Sequence, residues 1–443
     1  MTAKKLTVCV FIFFITTITV AQDSFKILQN KKSVTVPFKL VNNLMVIPLE
    51  INGKKLSFLV DTGIDKTVLF NLKISDSVRL NYIEEIQMRG LGEGNAIQAL
   101  KSRGNLVRIK DVISVNHMIY MITDNLFDLS AKMGIDVNGI IGGDLFKDFV
   151  VRINYASKKI TFYNPETYVY KKCNNCLTLP LEFLNKKPLL NAEVENHLGN
   201  LIDVKLLIDS GGGDALWLFK NTHPELIVSD RYFEDYLGKG LSGNIYGKRS
   251  IINKLKIGDF VFKNASVSYP DSTSIISVHD DISRNGTVGA EILKRFHVIF
   301  DYPNNKLTLK KNSTYFNAPF LYNKSGIELI YNGEMLVQEK KSRFREYEID
   351  SNKKSLLTEV MLVYNVAYRP RYEISHIRKA SPALFAGLLV GDVILEINGR
   401  PAYEKELQEI IHILSGNENK KIKLLVERNG VELKYEFQLK NML

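Results

Sequence analysis

The chain has 443 residues, 45% of them hydrophobic and 24% charged, with 28 glycines and 12 prolines. This composition suits two or three globular domains and excludes a collagen-like or broadly disordered chain. The net charge of +11 is scattered, and its densest runs, "KKNSTYF" and "EKKSRFREYE", read as solvated surface, so no nucleic-acid partner is expected.

The chain begins "MTAKKLTVCVFIFFITTITVAQDSF". Lys4 and Lys5 precede an apolar run from Leu6 to Val20, closed by small residues up to Ala21. That is the pattern of an export signal cleaved after Ala21. The run is short against the roughly 20 apolar residues of a membrane span. Residues 1–21 are therefore expected to be a signal peptide and the mature chain to be exported and soluble. The alternative is an uncleaved N-terminal anchor. Cys9 leaves with the signal. Cys173 and Cys176, in "KKCNNCL", are expected to form a local disulfide. With no nearby His pair they make a poor zinc site, and no metal or cofactor is expected.

From Leu44 onward the chain alternates apolar and polar residues between Gly and Asn turns. "LMVIPLEING", "KLSFLVDTG", "VVRINYASKKITFY" and "KLKIGDFVFKNASVSY" all read as strands. The short segments "GDLFKDF" and "AEILKRF" read as helices. Two strands end alike, in "FLVDTGIDKTVLF" (from Phe58) and "LLIDSGGGDALWLF" (from Leu206), with acids at Asp61 and Asp209. Two other features recur at nearly the same offset. "NGIIGGDLFKDFVVRINY" matches "GTVGAEILKRFHVIFDY", placing Gly142 with Gly289, and the glycine-rich "GLGEGNAI" matches "GKGLSGNIYG". The chain thus carries two copies of one domain of about 150 residues, expected over 22–170 and 171–312.

A lone Asp-Thr-Gly is usually only a turn. Two at equivalent places in a duplicated domain imply a pair. Two buried carboxylates brought close cannot both ionise, so they share a proton. One can take a proton from water while the other gives one to a carbonyl oxygen, which hydrolyses an amide without metal or covalent intermediate. Gly63 and Gly211 allow a sharp turn and a close approach.

These paired motifs resemble the aspartic protease family, in its pepsin and retropepsin branches, over roughly residues 35–312. The resemblance implies a mainly β fold of two retropepsin-like barrel lobes related by a pseudo-two-fold axis, with Asp61 and Asp209 catalytic. It also implies that Thr62 and Ser210 hydrogen-bond across to the other lobe. The glycine-rich hairpins are candidate flaps, with Gly92 and Gly94 in the first and Gly243 and Tyr246 in the second. This chain departs from the family at Ile64 and Gly212, where Ser or Ala is usual, and at Gly143, where retropepsins place Arg beside the counterpart of Asp65.

A third region follows Phe320. "SPALFAGLLVGDVILEINGRP" begins with a Ser-Pro-started helix, "KELQEIIHILSG" is an amphipathic helix, and "KIKLLVERNGVELKYEFQL" is a hairpin about Asn429-Gly430. It resembles a PDZ domain of the protease-associated kind, an α+β domain over 321–443. A charged stretch near 331–369 interrupts it as an insertion of unassigned role. PDZ domains bind a C-terminal peptide as an added strand, and the resemblance implies Ser325, Gly326 and Ile327 as its carboxylate loop. The reading is an exported aspartic endopeptidase, periplasmic or secreted, acting as a monomer on polypeptides, with the PDZ domain recruiting or orienting substrate. The alternative is a catalytically weak peptide-binding or scaffold protein, for which Ile64 and Gly212 argue.

Overall fold

The computed structural model describes residues 24–72, 77–123, 128–275, 284–350 and 355–443. The expected signal at residues 1–21 lies outside them. Among the described residues no helix is long and apolar enough to cross a membrane.

Lys54–Val60 starts with partly exposed positions and ends with Phe58, Leu59 and Val60 all buried. The reason is that both its edges and both its faces are covered. It pairs antiparallel with Leu44–Ile51 and parallel with Gly139–Ile141. Phe58 and Val60 enter the main core, while Leu59 enters a smaller cluster with Val46, Val68 and Phe70. A strand buried on both faces reads as a continuous apolar run. Gly139–Ile141 pairs on its other edge with Thr67–Leu69. The chain therefore leaves the strand at Asp61, turns, and returns along the same central strand. The Asp61 N–H donates to the Ile141 carbonyl at 3.0 Å, which ties the acid's backbone to the core. The second lobe repeats this arrangement. Leu201–Asp209 pairs parallel with Gly286–Gly289, which pairs antiparallel with Leu216–Leu218.

A third sheet joins the lobes. Its six strands run in the order Cys176–Pro180, Lys306–Lys311, Phe296–Asp301, Val150–Asn154, Lys159–Tyr163, Ser33–Pro37. The central pair is antiparallel, with Arg152 opposite Ile299. Each lobe thus gives three strands, and one apolar core runs through both. Cys173 and Cys176 are joined by a disulfide beside this sheet.

The C-terminal domain has its own core, built on Ile327, Ile374, Leu388, Leu407 and Ile422 among others. The helix Pro382–Phe385 is capped by the Ser381 hydroxyl, and Leu407–Leu414 opens with a reciprocal Glu406–Glu409 capping box. The insertion near 331–369 is the outer part of a long hairpin, Ile327–Asp350 paired with Ser355–Ile377. One face of this arm is mainly apolar. Leu336, Phe344, Val360, Leu362, Tyr364, Val366 and Tyr368 share it, each 52–68% exposed. An isolated two-stranded ribbon contributes little stability of its own, and an exposed apolar strand face invites association. We therefore predict that replacing 336–368 by Asn-Gly, a two-residue turn between the paired Met335 and Arg369, leaves the melting temperature within about 2 °C and reduces light scattering at high concentration. A large drop in melting temperature would show that the arm supports the fold.

Candidate active site

Asp61 and Asp209 stand at the ends of the two central strands and meet between the lobes. Their carboxyls are hydrogen-bonded to each other. The approach is so close that a Cβ on Gly211 would lie 2.2 Å from Asp61 Cγ, and one on Gly63 would lie 2.9 Å from Asp209 Cγ. Only glycine permits this contact. The carboxyls differ in their local donors. Asp209 Oδ1 accepts the N–H groups of Gly211 and Gly212, both at 2.8 Å, whereas Asp61 Oδ1 accepts that of Gly63 at 2.6 Å. Burial, then the Asp209 charge and hydrogen bond, raise the Asp61 pKa well above the ordinary aspartate value; the Gly63 N–H and Lys187 oppose this less strongly.

Beneath the acids, Thr62 and Ser210 form a reciprocal, fully buried grip. Thr62 Oγ1 donates to the Ile208 carbonyl at 2.6 Å and accepts the Ser210 N–H at 3.0 Å. Ser210 Oγ donates to the Val60 carbonyl at 2.9 Å and accepts the Thr62 N–H at 3.1 Å. Each hydroxyl therefore binds the strand carrying the other lobe's acid.

A cleft of about 530 Å³ lies over the acids, roofed by both glycine-rich hairpins. The first joins Ile83–Met88 to Ile97–Ile109, and the second joins Phe233–Gly240 to Gly243–Ile257. Their tips interlock. Ser242 accepts the Gly90 N–H on its hydroxyl at 3.0 Å and the Gly94 N–H on its carbonyl at 2.5 Å, and donates its N–H to the Leu91 carbonyl at 2.9 Å. Gly92 and Gly243 sit at this junction, both at positive φ. A Cβ on Gly240 would lie 2.1 Å from the Leu91 carbonyl oxygen. If the hairpins are working flaps, Gly240→Ala keeps them from closing and lowers kcat/KM by about a hundredfold. Steady-state kinetics on a peptide substrate checks this; an unchanged value would make them ordinary surface hairpins.

Residues 47–145 match the aspartyl protease family and residues 373–428 the PDZ domain family. The chain joins an aspartyl protease domain to a PDZ domain. It is also similar in structure to the aspartic proteinase from Irpex lacteus, with a TM-score of 0.39 and 13% identity, over 65% of this chain and 99% of that one. No curated protein matches it in sequence.

The remaining expected site residues fall in three places. Ile64 packs against the first lobe's apolar cluster and forms part of the cleft wall. Gly212, its counterpart, gives its N–H to Asp209. Tyr246 lies on the second flap's inner strand but turns away from the cleft, with its ring 5.6 Å from Tyr236 and 6.5 Å from His376 of the PDZ domain. The loop expected to catch a peptide carboxylate is closed on itself. Asn323 Oδ1 accepts the N–H groups of Ser325 (3.0 Å) and Gly326 (3.2 Å), and Ser325 Oγ accepts that of Ile327 (3.1 Å).

Sequence reasoning missed Ser242, Lys187, Asp214 and Arg249. Asp214 lies on the cleft wall in the loop after Asp209 and pairs with Arg249 at 2.9 Å. Burial works against its charge, yet Arg249 and donors from Trp217 and Ser268 hold its pKa below the ordinary value. A sequence signal existed for Asp214, since it recurs in the second motif much as Asp65 does in the first. Asp65 also lines the cleft.

Proposed function

We propose that this protein is an exported aspartic endopeptidase, working in the periplasm or outside the cell as a monomer on polypeptide substrates. The observation that carries the reading is the hydrogen-bonded contact of Asp61 with Asp209 on a reciprocal Thr62–Ser210 grip, under two flaps. Both lobes belong to one chain, so one copy supplies both acids.

In the reaction, Asp61 holds the shared proton, because burial and its neighbour disfavour its charge and fewer backbone donors serve it. Asp209 takes a proton from a water between the acids as that water attacks the scissile carbonyl carbon. Asp61 gives its proton to the carbonyl oxygen, forming a tetrahedral diol. Asp209 then passes a proton to the amide nitrogen, the C–N bond breaks, and Asp61 recovers a proton from a diol hydroxyl. Asp65, facing the cleft, is placed to accept a substrate backbone N–H. The recruiting role expected of the PDZ domain meets no open carboxylate loop, and a different role is argued below.

The test is digestion of an unfolded protein or peptide library by residues 22–443, across acid to neutral pH, beside Asp61→Asn and Asp209→Asn. Cleavage by wild type and by neither variant supports the dyad. Silence of all three with peptide binding retained would favour the binding alternative.

A further inference from the structure

All three domains meet at one buried charge cluster outside the dyad. Asp235, on the outer strand of the second flap, accepts Arg249 Nε on one carboxylate oxygen and Arg378 Nε on the other, both at 3.0 Å. Its side chain is only 7% exposed, and that of Arg378, from the PDZ domain, only 3%. Arg249, on the flap's inner strand, reaches on to Asp214. Asp214 in turn accepts Trp217 Nε1 at 2.7 Å, and both residues form the cleft wall. An unbroken chain of ion pairs therefore runs from the PDZ domain, through both flap strands, to the loop that follows Asp209. Rings reinforce it. The Arg378 guanidinium lies 4.0 Å from the centre of the Phe233 ring, and the His376 ring stacks flat on Tyr236 at 4.3 Å, both on the same flap strand. Lys132 of the first lobe hydrogen-bonds to the Tyr236 hydroxyl.

The face that the PDZ domain turns to the protease is its own peptide groove. Ile327–Asp350 is the terminal strand of its sheet, and a bound peptide would add to that edge beside the helix Leu407–Leu414. The first-lobe helix Leu129–Met133 packs there instead. Gly134 comes so near Leu407 that a Cβ on it would lie 2.9 Å from Leu407 Cβ. The carboxylate-loop N–H groups are meanwhile held by Asn323 and Ser325.

We propose that the partner of the PDZ domain is the protease domain of its own chain, and that Arg378 is a positioning residue which, through Asp235 and Arg249, fixes the second flap and the Asp214–Trp217 wall of the cleft. Its consequence for catalysis rests on the endopeptidase reading; the docking itself does not. A buried ion-pair chain acts as a unit, because removing one member leaves its partner's charge uncompensated. Loosening Arg378 should therefore be felt along the flap, and a flap that closes poorly holds substrate poorly.

The experiment compares wild-type residues 22–443 with Arg378→Gln, Asp235→Asn and Arg378→Lys, by hydrogen exchange across 233–249 and by peptide-cleavage kinetics. In Arg378→Gln and Asp235→Asn, exchange in 233–249 is expected to rise about tenfold, with KM up about tenfold and kcat changed less. Arg378→Lys keeps one charge and restores part of both. Exchange that rises only within the PDZ domain in Arg378→Gln, leaving 233–249 unchanged, would overturn the proposal. If wild type cuts nothing, the endopeptidase reading falls, and the exchange comparison still decides the docking.

Discussion

Asp61→Asn is expected to abolish cleavage and, at neutral pH, to yield a protein more stable than wild type. The catalytic loss follows from removing a proton donor that no neighbour can replace, and is expected to reach at least about 10³–10⁴-fold in kcat/KM. The gain in stability follows from linkage. Burial, then Asp209, raise the folded-state pKa of Asp61 well above its ordinary 3.8. Its favourable contribution is therefore complete below the unfolded-state value and is lost as pH rises through the folded-state value. Asparagine does not titrate. The difference in melting temperature, variant minus wild type, should grow with pH from about 4 upward and level off above the folded-state value. Asp209→Asn should also abolish cleavage. It additionally removes the neighbouring charge that helps to raise Asp61, so the pH dependence that remains should shift toward acid. Thermal melts from acid to neutral pH, run beside the cleavage assay, check both variants. An Asp61→Asn protein that cuts at the wild-type rate, or that melts lower at neutral pH, would remove the basis for the shared-proton pair.

Much of this site was legible because duplication wrote it twice. Asp61 and Asp209 end runs that are apolar for a structural reason, burial of the strand on both faces, and the paired glycines mark where the turns approach each other. What was hidden depends on contacts far apart in the chain. Lys132, Asp235, Arg249 and Arg378 are scattered charges, three of them beside a second charge at Glu234, Lys248 and Lys379, and nothing near any of them indicates burial. Which way Tyr246 turns was not legible, because strand residues alternate faces. Its neighbour Ile245 lines the cleft, and a register shift between Tyr236 and Gly238 in the partner strand defeats a simple count of faces. The arm was obscured for another reason. "VMLVYNVAY" is apolar at nearly every position, so its period of two cannot be seen until the charged strand opposite is paired with it. Asn323 lies two residues before the expected carboxylate loop, and only the three-dimensional turn shows that its side chain accepts the N–H groups of Ser325 and Gly326.

Thr62→Val tests whether the grip, rather than the acids alone, makes the dyad. Valine keeps the shape of threonine but removes the hydroxyl that serves the Ile208 carbonyl and the Ser210 N–H. Thr62 and Ser210 are fully buried, so both groups are shielded from bulk solvent. Leaving a buried polar group unsatisfied costs about 1–3 kcal/mol, so the variant is expected to lose about 2–4 kcal/mol of stability. Activity should fall further than the folded fraction explains. The same bonds fix the strand ends on which Asp61 and Asp209 sit, and a displacement of about 1 Å there can cost a hundredfold in rate. Thr62→Ser, which restores the hydroxyl, should recover most of both losses. Ser210→Ala removes the mirror pair of bonds. Because both hydroxyls tie together the same two strands, the double variant Thr62→Val/Ser210→Ala should lose less than the sum of the single variants. Strict additivity in denaturant melts would mean that the two hydroxyls act independently, and the lobes would then be aligned by their shared six-stranded sheet rather than by the grip.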